Sequence, residues 1–158
     1  MPVAKIPRIQ IDTLWVERWQ PELIGTLLLV LRVHQGRGQV LLIHKKTGHG
    51  QGRVNGPGGK LDAGESLTAC ARREVFEEVG LVIHNIQYVG SQSWPYPGQL
   101  MLGFIADATS KEIKIDGIEI AEANWFRYDQ LPETIAPPGI MAGRLIQQYV
   151  QQAALTYG

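Results

Sequence analysis

The chain has 158 residues, 44% of them apolar and 19% charged, which is material for one compact domain with a true core. The charged fraction lies below the about one quarter usual for soluble proteins, but not low enough to suggest a membrane protein. Fifteen basic residues balance fifteen acidic ones, so there is no global field to hold a long polyanion. That excludes a nucleic-acid coat or duplex reader and leaves a small phosphorylated ligand open.

Met1 to Gln20 has no charged start followed by an apolar run, so no signal peptide is expected. The longest apolar stretch, Leu27 to Leu31, is far too short to span a bilayer. The expected location is the cytoplasm, without membrane contact. Leu23 to Val33 is rich in Leu and Val and reads as a buried strand. His34 to Gly38 reads as a glycine-bearing turn, and Val40 to His44 as the second strand of a hairpin. Thr47 to Gly59 carries six glycines and a proline and is expected to be loop, with a backbone that can approach a ligand closely.

Ser66 to Val79 is the clearest helix. Ser66 suits the N-cap, Leu67, Ala71, Val75 and Val79 form an apolar stripe, and Gly80 falls at the C-terminal stop. Cys70, on this helix, is the chain's one cysteine, which excludes an internal disulfide and a cysteine-based metal cage. Val82 to Val89 and Leu100 to Ala106 read as strands, joined by a loop over Ser91 to Gln99. Glu112 to Ile115 and Trp125 to Tyr128 are shorter strand candidates, and Met141 to Gln152 reads as an amphipathic helix. The order predicts a mixed sheet between helices, not a doubly wound parallel sheet.

Glu74, Glu77 and Glu78 crowd one arc of the central helix and repel one another. Arg72 and Arg73 precede them and do not interleave with them. Clustered carboxylates of this kind suit a hard divalent cation such as Mg²⁺, which takes oxygen ligands and substrate phosphates. Arg73, at i+4 to Glu77 and next to Glu74, is placed to hold a carboxylate in position.

Residues 59–81 read GKLDAGESLTACARREVFEEVGL. This resembles the Nudix box: Gly, five residues, Glu, seven residues, then Arg-Glu-aliphatic-x-Glu-Glu-x-Gly-aliphatic. Gly59, Glu65, Arg73, Glu74, Val75, Glu77, Glu78, Gly80 and Leu81 fill every specified position. At about one in twenty per fixed residue, a chance match is on the order of one in a billion starts. The resemblance implies a single Nudix domain over 1–158, an α/β/α sandwich around a mixed sheet (α+β), that hydrolyses a nucleoside diphosphate linked to another moiety. It implies Mg²⁺, with Mn²⁺ as a substitute, held by Glu74, Glu77, Glu78 and the Gly59 carbonyl. Glu65 is implied to orient the site or help bind a second metal, Arg73 to brace the glutamates, and Glu78 or Glu77 to act as general base. Some relatives dimerise, so the resemblance implies a monomer or a homodimer.

Two branches of the family are echoed. HKKTGHGQGRVNGPGGKLDAGE at 44–65 resembles the MutT-type oxidised-purine triphosphatases. By that likeness Asn55 meets a base edge and Lys60 a phosphate. SQSWPYPGQLMLGF at 91–104 and EIAEANWFRYDQLP at 119–132 resemble the NADH pyrophosphatases. There Glu119 completes the metal site, and Trp94 and Tyr96 stack on a base. Ser93 and the Gly98-Gln99 pair depart from that signature, and Ala136 to Gly139 lacks the two acids that the oxidised-purine enzyme carries. The leading expectation is MutT-type hydrolysis of an oxidised guanine triphosphate to the monophosphate and pyrophosphate. NADH cleavage to two mononucleotides is the alternative, and a non-catalytic nucleotide sensor is the reading from another class. The partner expected is a small nucleotide and not a nucleic-acid polymer.

Overall fold

The computed structural model describes residues 21–46, 54–94, 98–108, 112–137 and 139–158. Tyr96 and residues 47–53 lie outside them, as does the side chain of Trp94. The elements are β1 (Leu23–His34), β2 (Arg37–Lys45), β3 (Val54–Asn55), α1 (Leu67–Val79), β4 (Ile83–Trp94), β5 (Gln99–Ala108), β6 (Ile120–Arg127) and α2 (Met141–Tyr157). No helix among them is long and apolar enough to cross a membrane.

The sheet is mixed. β1 pairs parallel with β5, while β4 with β5, β1 with β2, β2 with β3 and β2 with β6 are antiparallel. β1 alternates cleanly between two buried layers. Leu28 and Val30 join Leu41 and Ile43 of β2 under Ala71, Val75 and Val79 of α1. Leu29 joins Val40 and Leu42 under Met141, Leu145, Ile146 and Tyr149 of α2. Both faces are covered, which is why β1 reads as one continuous apolar run. Each buried Leu, Ile or Val side chain contributes about 1.5–3 kcal/mol. This is the expected helix–sheet–helix sandwich.

One departure from regular pairing creates the site. β1 and β2 pair only from Leu31↔Val40 to His34↔Arg37 and then diverge. Into the fork goes the glycine-rich segment. β3 pairs with Ile43 and His44 of β2, and the chain then crosses to β1. There Leu28 N donates to Pro57 O at 2.8 Å, Thr26 N to Gly59 O at 2.8 Å, and Leu61 N to Ile24 O at 2.8 Å. A Cβ on Gly56 would strike the Leu28 carbonyl, and one on Gly58 the Thr26 carbonyl. Only glycine lets this segment lie so close to β1.

Several boundaries differ from the sequence expectation. The expected loop at Ser91 to Gln99 is shorter: Ser91 to Trp94 continue β4, in register with Leu102 to Gln99 of β5. The turn between β1 and β2 is only Gln35-Gly36. Glu112 to Ile115 is not a strand. It runs beside the end of α1, where Lys114 N donates to Val79 O at 2.8 Å and Asp116 N to Glu78 O at 3.3 Å, satisfying carbonyls the helix leaves open. β6 begins at Ile120, ahead of the expected Trp125, because its ladder with β2 reaches Lys45.

Candidate active site

α1 is positioned at both ends. The Ser66 hydroxyl accepts from Ala69 N at 3.1 Å, a cap that contributes about 1 kcal/mol. Gly80 closes the helix in the left-handed conformation with φ 72°. Between these ends the apolar stripe packs on the sheet and fixes the helix's rotation. That rotation gives the three glutamates different surroundings: Glu78 is 3% exposed, Glu74 13% exposed against the glycine segment, and Glu77 60% exposed.

Arg73 is the hub. Its Nε donates to Glu65 Oε2 at 2.8 Å and its Nη2 to Glu65 Oε1 at 2.9 Å, a two-pronged pair. Nη1 donates to Glu74 Oε1 at 3.0 Å and Glu77 Oε2 at 3.2 Å. Nη2 also donates to the Lys60 carbonyl at 3.0 Å, tying the helix to the glycine segment. Hydrogen bonding from Arg73 holds the Glu65 carboxyl down to about 2, and Arg73 itself is raised by Glu65 and Glu74. Arg72 turns away and donates to the Ile83 carbonyl, leaving Arg73, of the described arginines, among the acids.

Glu78 is the buried member. Gly58 N donates to its Oε2 at 3.3 Å, and Lys45 Nζ lies 3.7 Å from its Oε1. Burial pushes its carboxyl up to about 7. Lys45 and the Gly58 N–H oppose that rise, and the charges of Glu74 and Glu119 add to it. Glu119 is exposed, just before β6, where its backbone N–H is held by Asp116 Oδ1 at 3.2 Å. Its carbonyl accepts from Lys46 N at 2.7 Å, which sets it beside the end of β2. Glu74 is raised too, first by burial and then by Glu77 against the pull of Arg73.

Gly59 fits beside Glu74 so closely that a Cβ there would collide with the Glu74 carboxylate. Its carbonyl differs from the expectation. It accepts from Thr26 N at 2.8 Å and from Thr26 Oγ1 at 3.1 Å and is turned toward β1. The carbonyl directed toward the carboxylates is that of Gly58, which accepts from Lys45 Nζ at 3.3 Å. The reason lies in the ladder: successive carbonyls of an extended segment point opposite ways, and Gly59 is spent on β1.

The donor set is all oxygen: the carboxylates of Glu65, Glu74, Glu77, Glu78 and Glu119, and the Gly58 carbonyl. It fits a hard divalent ion. Burial and mutual repulsion raise Glu74 and Glu78, as expected of acids gathered without enough positive charge. Among the described residues no three such side chains close on one point. Arg73 draws Glu65, Glu74 and Glu77 to itself, while Lys45 takes Glu78.

A cleft of 290 Å³ opens beside this cluster, where β1 and β2 diverge. Asn55, Gly56, Gly58, Lys45 and Lys60 line one side, and Gln92, Gln99, Met101, Ile140 and Met141 another. Asn55 Oδ1 is buried and has no hydrogen-bond partner among the described residues. Gln92 Oε1 accepts from Met141 N at 2.9 Å, capping α2 from β4 in place of Ile140, which offers no side-chain cap. Thr26, Lys45, Gly58 and Gln92 were not expected as site residues from the sequence, although Gln92 falls in the SQSW run at 91–94. For Lys45 the signal was its place beside the glycine segment, whereas Thr26 and Gln92 depend on strand pairing.

The NUDIX domain family matches residues 26–143. The NAD-capped RNA hydrolase NudC of Escherichia coli (strain SMS-3-5 / SECEC) is 39% identical over 141 residues, covering 89% of this chain and 53% of that protein. The same-named protein of Shigella flexneri is also 39% identical over 141 residues. The chain thus spans about half the length of the curated relatives it matches. Among solved structures, a MutT NUDIX hydrolase from Burkholderia pseudomallei superposes with a TM-score of 0.63 at 25% identity, covering 82% of this chain and 97% of that one. The NUDIX domain of Shewanella oneidensis NrtR, complexed with ADP ribose, has a TM-score of 0.68 at 17% identity, covering 90% and 98%, and shares the fold. The chain belongs to the Nudix family.

Proposed function

We propose that the chain is a Mg²⁺-dependent dinucleotide pyrophosphatase, cleaving NADH-type substrates into two mononucleotides. The observation that carries this reading is the chemistry of the cleft. Its lining side chains among the described residues are apolar, amide or basic apart from the Thr26 hydroxyl, and none is acidic. Asn55, Gln92 and Gln99 offer carboxamides, which pair with an adenine edge or another carboxamide. Ala136 lines the cleft in the stretch where an oxidised-purine triphosphatase would carry acids. The relatives named NAD-capped RNA hydrolases support the same reading. The leading sequence expectation, an oxidised guanine triphosphate, therefore gives way to its alternative.

Glu74, Glu77, Glu78 and the Gly58 carbonyl would hold the divalent ion, with Glu119 and Glu65 at the edge. When bound, that ion neutralises diphosphate charge, polarises the phosphorus and acidifies an attached water. Arg73 keeps Glu65, Glu74 and Glu77 in register. Glu78 is the proposed base over Glu77: it is buried beside the Gly58 N–H and Lys45, whereas Glu77 is exposed on Arg73. Water oxygen attacks one phosphorus, the bridging P–O bond breaks, and the water's proton passes to Glu78. Lys60 faces the phosphates from the cleft wall, and Asn55 meets a base. Trp94 and Tyr96 remain proposed stacking residues.

The relatives' name favours a second substrate form, the same dinucleotide at the 5′ end of an RNA. A neutral chain has no field for the polymer, so the dinucleotide itself would carry recognition. Chromatography of an NADH digest tests the proposal. It should give reduced nicotinamide mononucleotide and AMP in equal amounts. Intact NADH alongside a hydrolysed nucleoside triphosphate would refute it.

A further inference from the structure

Lys45 ends β2, at a register irregularity between His44 and Lys45 in the ladder with β6. Its side chain is 21% exposed and lines the cleft. Its ammonium addresses two oxygens at once: Gly58 O at 3.3 Å and Glu78 Oε1 at 3.7 Å. A carboxylate and a carbonyl converging on one cation are hard donors, and a divalent ion would call on the same two atoms. Two cations cannot share them, because their repulsion at such separations is strong in a partly buried site.

We propose that Lys45 is an exchange cation, holding Glu78 in the metal-free protein and passing to a substrate phosphate oxygen once a divalent ion takes that carboxylate. The assignment rests on the diphosphate-hydrolase reading of the site. The chemistry suits lysine: a compact charge on a flexible stem needs no planar partner and can turn from carboxylate to phosphate. The space into which it turns is the cleft it already lines, next to Asn55, Gly56 and Lys60.

The exchange has a thermodynamic consequence. Lys45 opposes binding of the metal alone and favours binding of metal and diphosphate together, so the two ligands are positively coupled, each strengthening the other equally. Without Lys45 that coupling shrinks.

Two calorimetric titrations test this on the parent chain, Lys45→Met and Lys45→Gln, with thermal melts to confirm folding. The first uses Mg²⁺ alone. The second uses α,β-methylene-ADP, which is not cleaved between its phosphates, at saturating Mg²⁺. Each neutral variant should bind Mg²⁺ alone about tenfold more tightly and the nucleotide about tenfold more weakly, as the loss of one partly exposed charge contact implies. Lys45→Arg, which keeps the charge, should restore nucleotide binding at least in part. An unchanged Mg²⁺ affinity, an unchanged nucleotide affinity, or no recovery with arginine overturns the exchange. These titrations do not depend on NADH being the substrate. If NADH is not cleaved but both affinities move, the Lys45 assignment stands and the substrate reading falls.

Discussion

Arg73 and Glu65 meet through two parallel contacts, Nε to Oε2 at 2.8 Å and Nη2 to Oε1 at 2.9 Å. The same guanidinium reaches Glu74, Glu77 and the Lys60 carbonyl. One side chain therefore sets the spacing between the glycine segment and the acidic face of α1. Arg73→Lys cannot reproduce the fork. It should lower kcat by about a hundredfold or more, the scale of a small misplacement of reacting groups, while the protein still melts cooperatively. A variant retaining more than a third of the parent's kcat would show that Arg73 only decorates the surface.

Glu78 makes stability depend on pH in an unusual direction. In the folded chain its carboxyl holds a proton up to about 7, against 4.5 for an ordinary glutamate. Between those values the folded state binds more protons than the unfolded one, so stability falls as pH rises. The fall should be on the order of 3 kcal/mol between about pH 4.5 and pH 7. Glu65 acts in the opposite sense. Held down to about 2 by Arg73, it contributes stability above 4.5 that is lost as pH drops toward 2. In EDTA, urea midpoints should therefore be higher near pH 5 than at pH 8, and Glu78→Gln should flatten that slope. The same substitution should lower kcat by about 10²–10⁴, the range for removal of a general base. A slope as steep in Glu78→Gln as in the parent would place the titrating group elsewhere.

Gly59→Ala tests how tightly the glycine segment and helix are fitted. The added methyl would collide with the Glu74 carboxylate, so that side chain must leave its place. Mg²⁺ affinity should drop by about tenfold, the effect of disturbing one ligand's support. Calorimetry that finds parent-like affinity would remove Glu74 from the ion's surroundings.

Asn55 separates binding from folding. Its Oδ1 is buried with no hydrogen-bond partner among the described residues, and a bound nucleotide would supply one. Asn55→Ala should leave the melting temperature unchanged or slightly raised, yet raise KM for the dinucleotide by about fivefold to a hundredfold, equivalent to about 1–3 kcal/mol. A lower melting temperature with an unchanged KM would make Asn55 a turn residue before Gly56.

The parts of this site that were legible in the sequence are those set by local chain geometry. The helical period placed Glu74, Glu77 and Glu78 on one arc, and Ser66 and Gly80 bounded that helix without reference to any other element. What the sequence could not rank was burial among the three acids, because that depends on how α1 rolls on the sheet. The direction of the Gly58 and Gly59 carbonyls was hidden for a related reason. It follows from pairing with β1, more than thirty residues earlier, through Thr26. Gln92 lay in Ser91 to Gln99, a stretch that reads as loop because it contains Pro95 and Pro97. Only its ladder with β5 makes it a strand residue able to cap α2.

The most direct measurement is kcat/KM at saturating Mg²⁺ for NADH, an NAD-capped RNA, GTP and 8-oxo-dGTP, each beside Glu78→Gln as the blank. The expected result is that a substrate carrying the nicotinamide dinucleotide exceeds every triphosphate by at least about tenfold, or 1.4 kcal/mol of transition-state binding. The reverse order, with 8-oxo-dGTP at least about tenfold ahead, would contradict the dinucleotide assignment and return the cleft to a triphosphate.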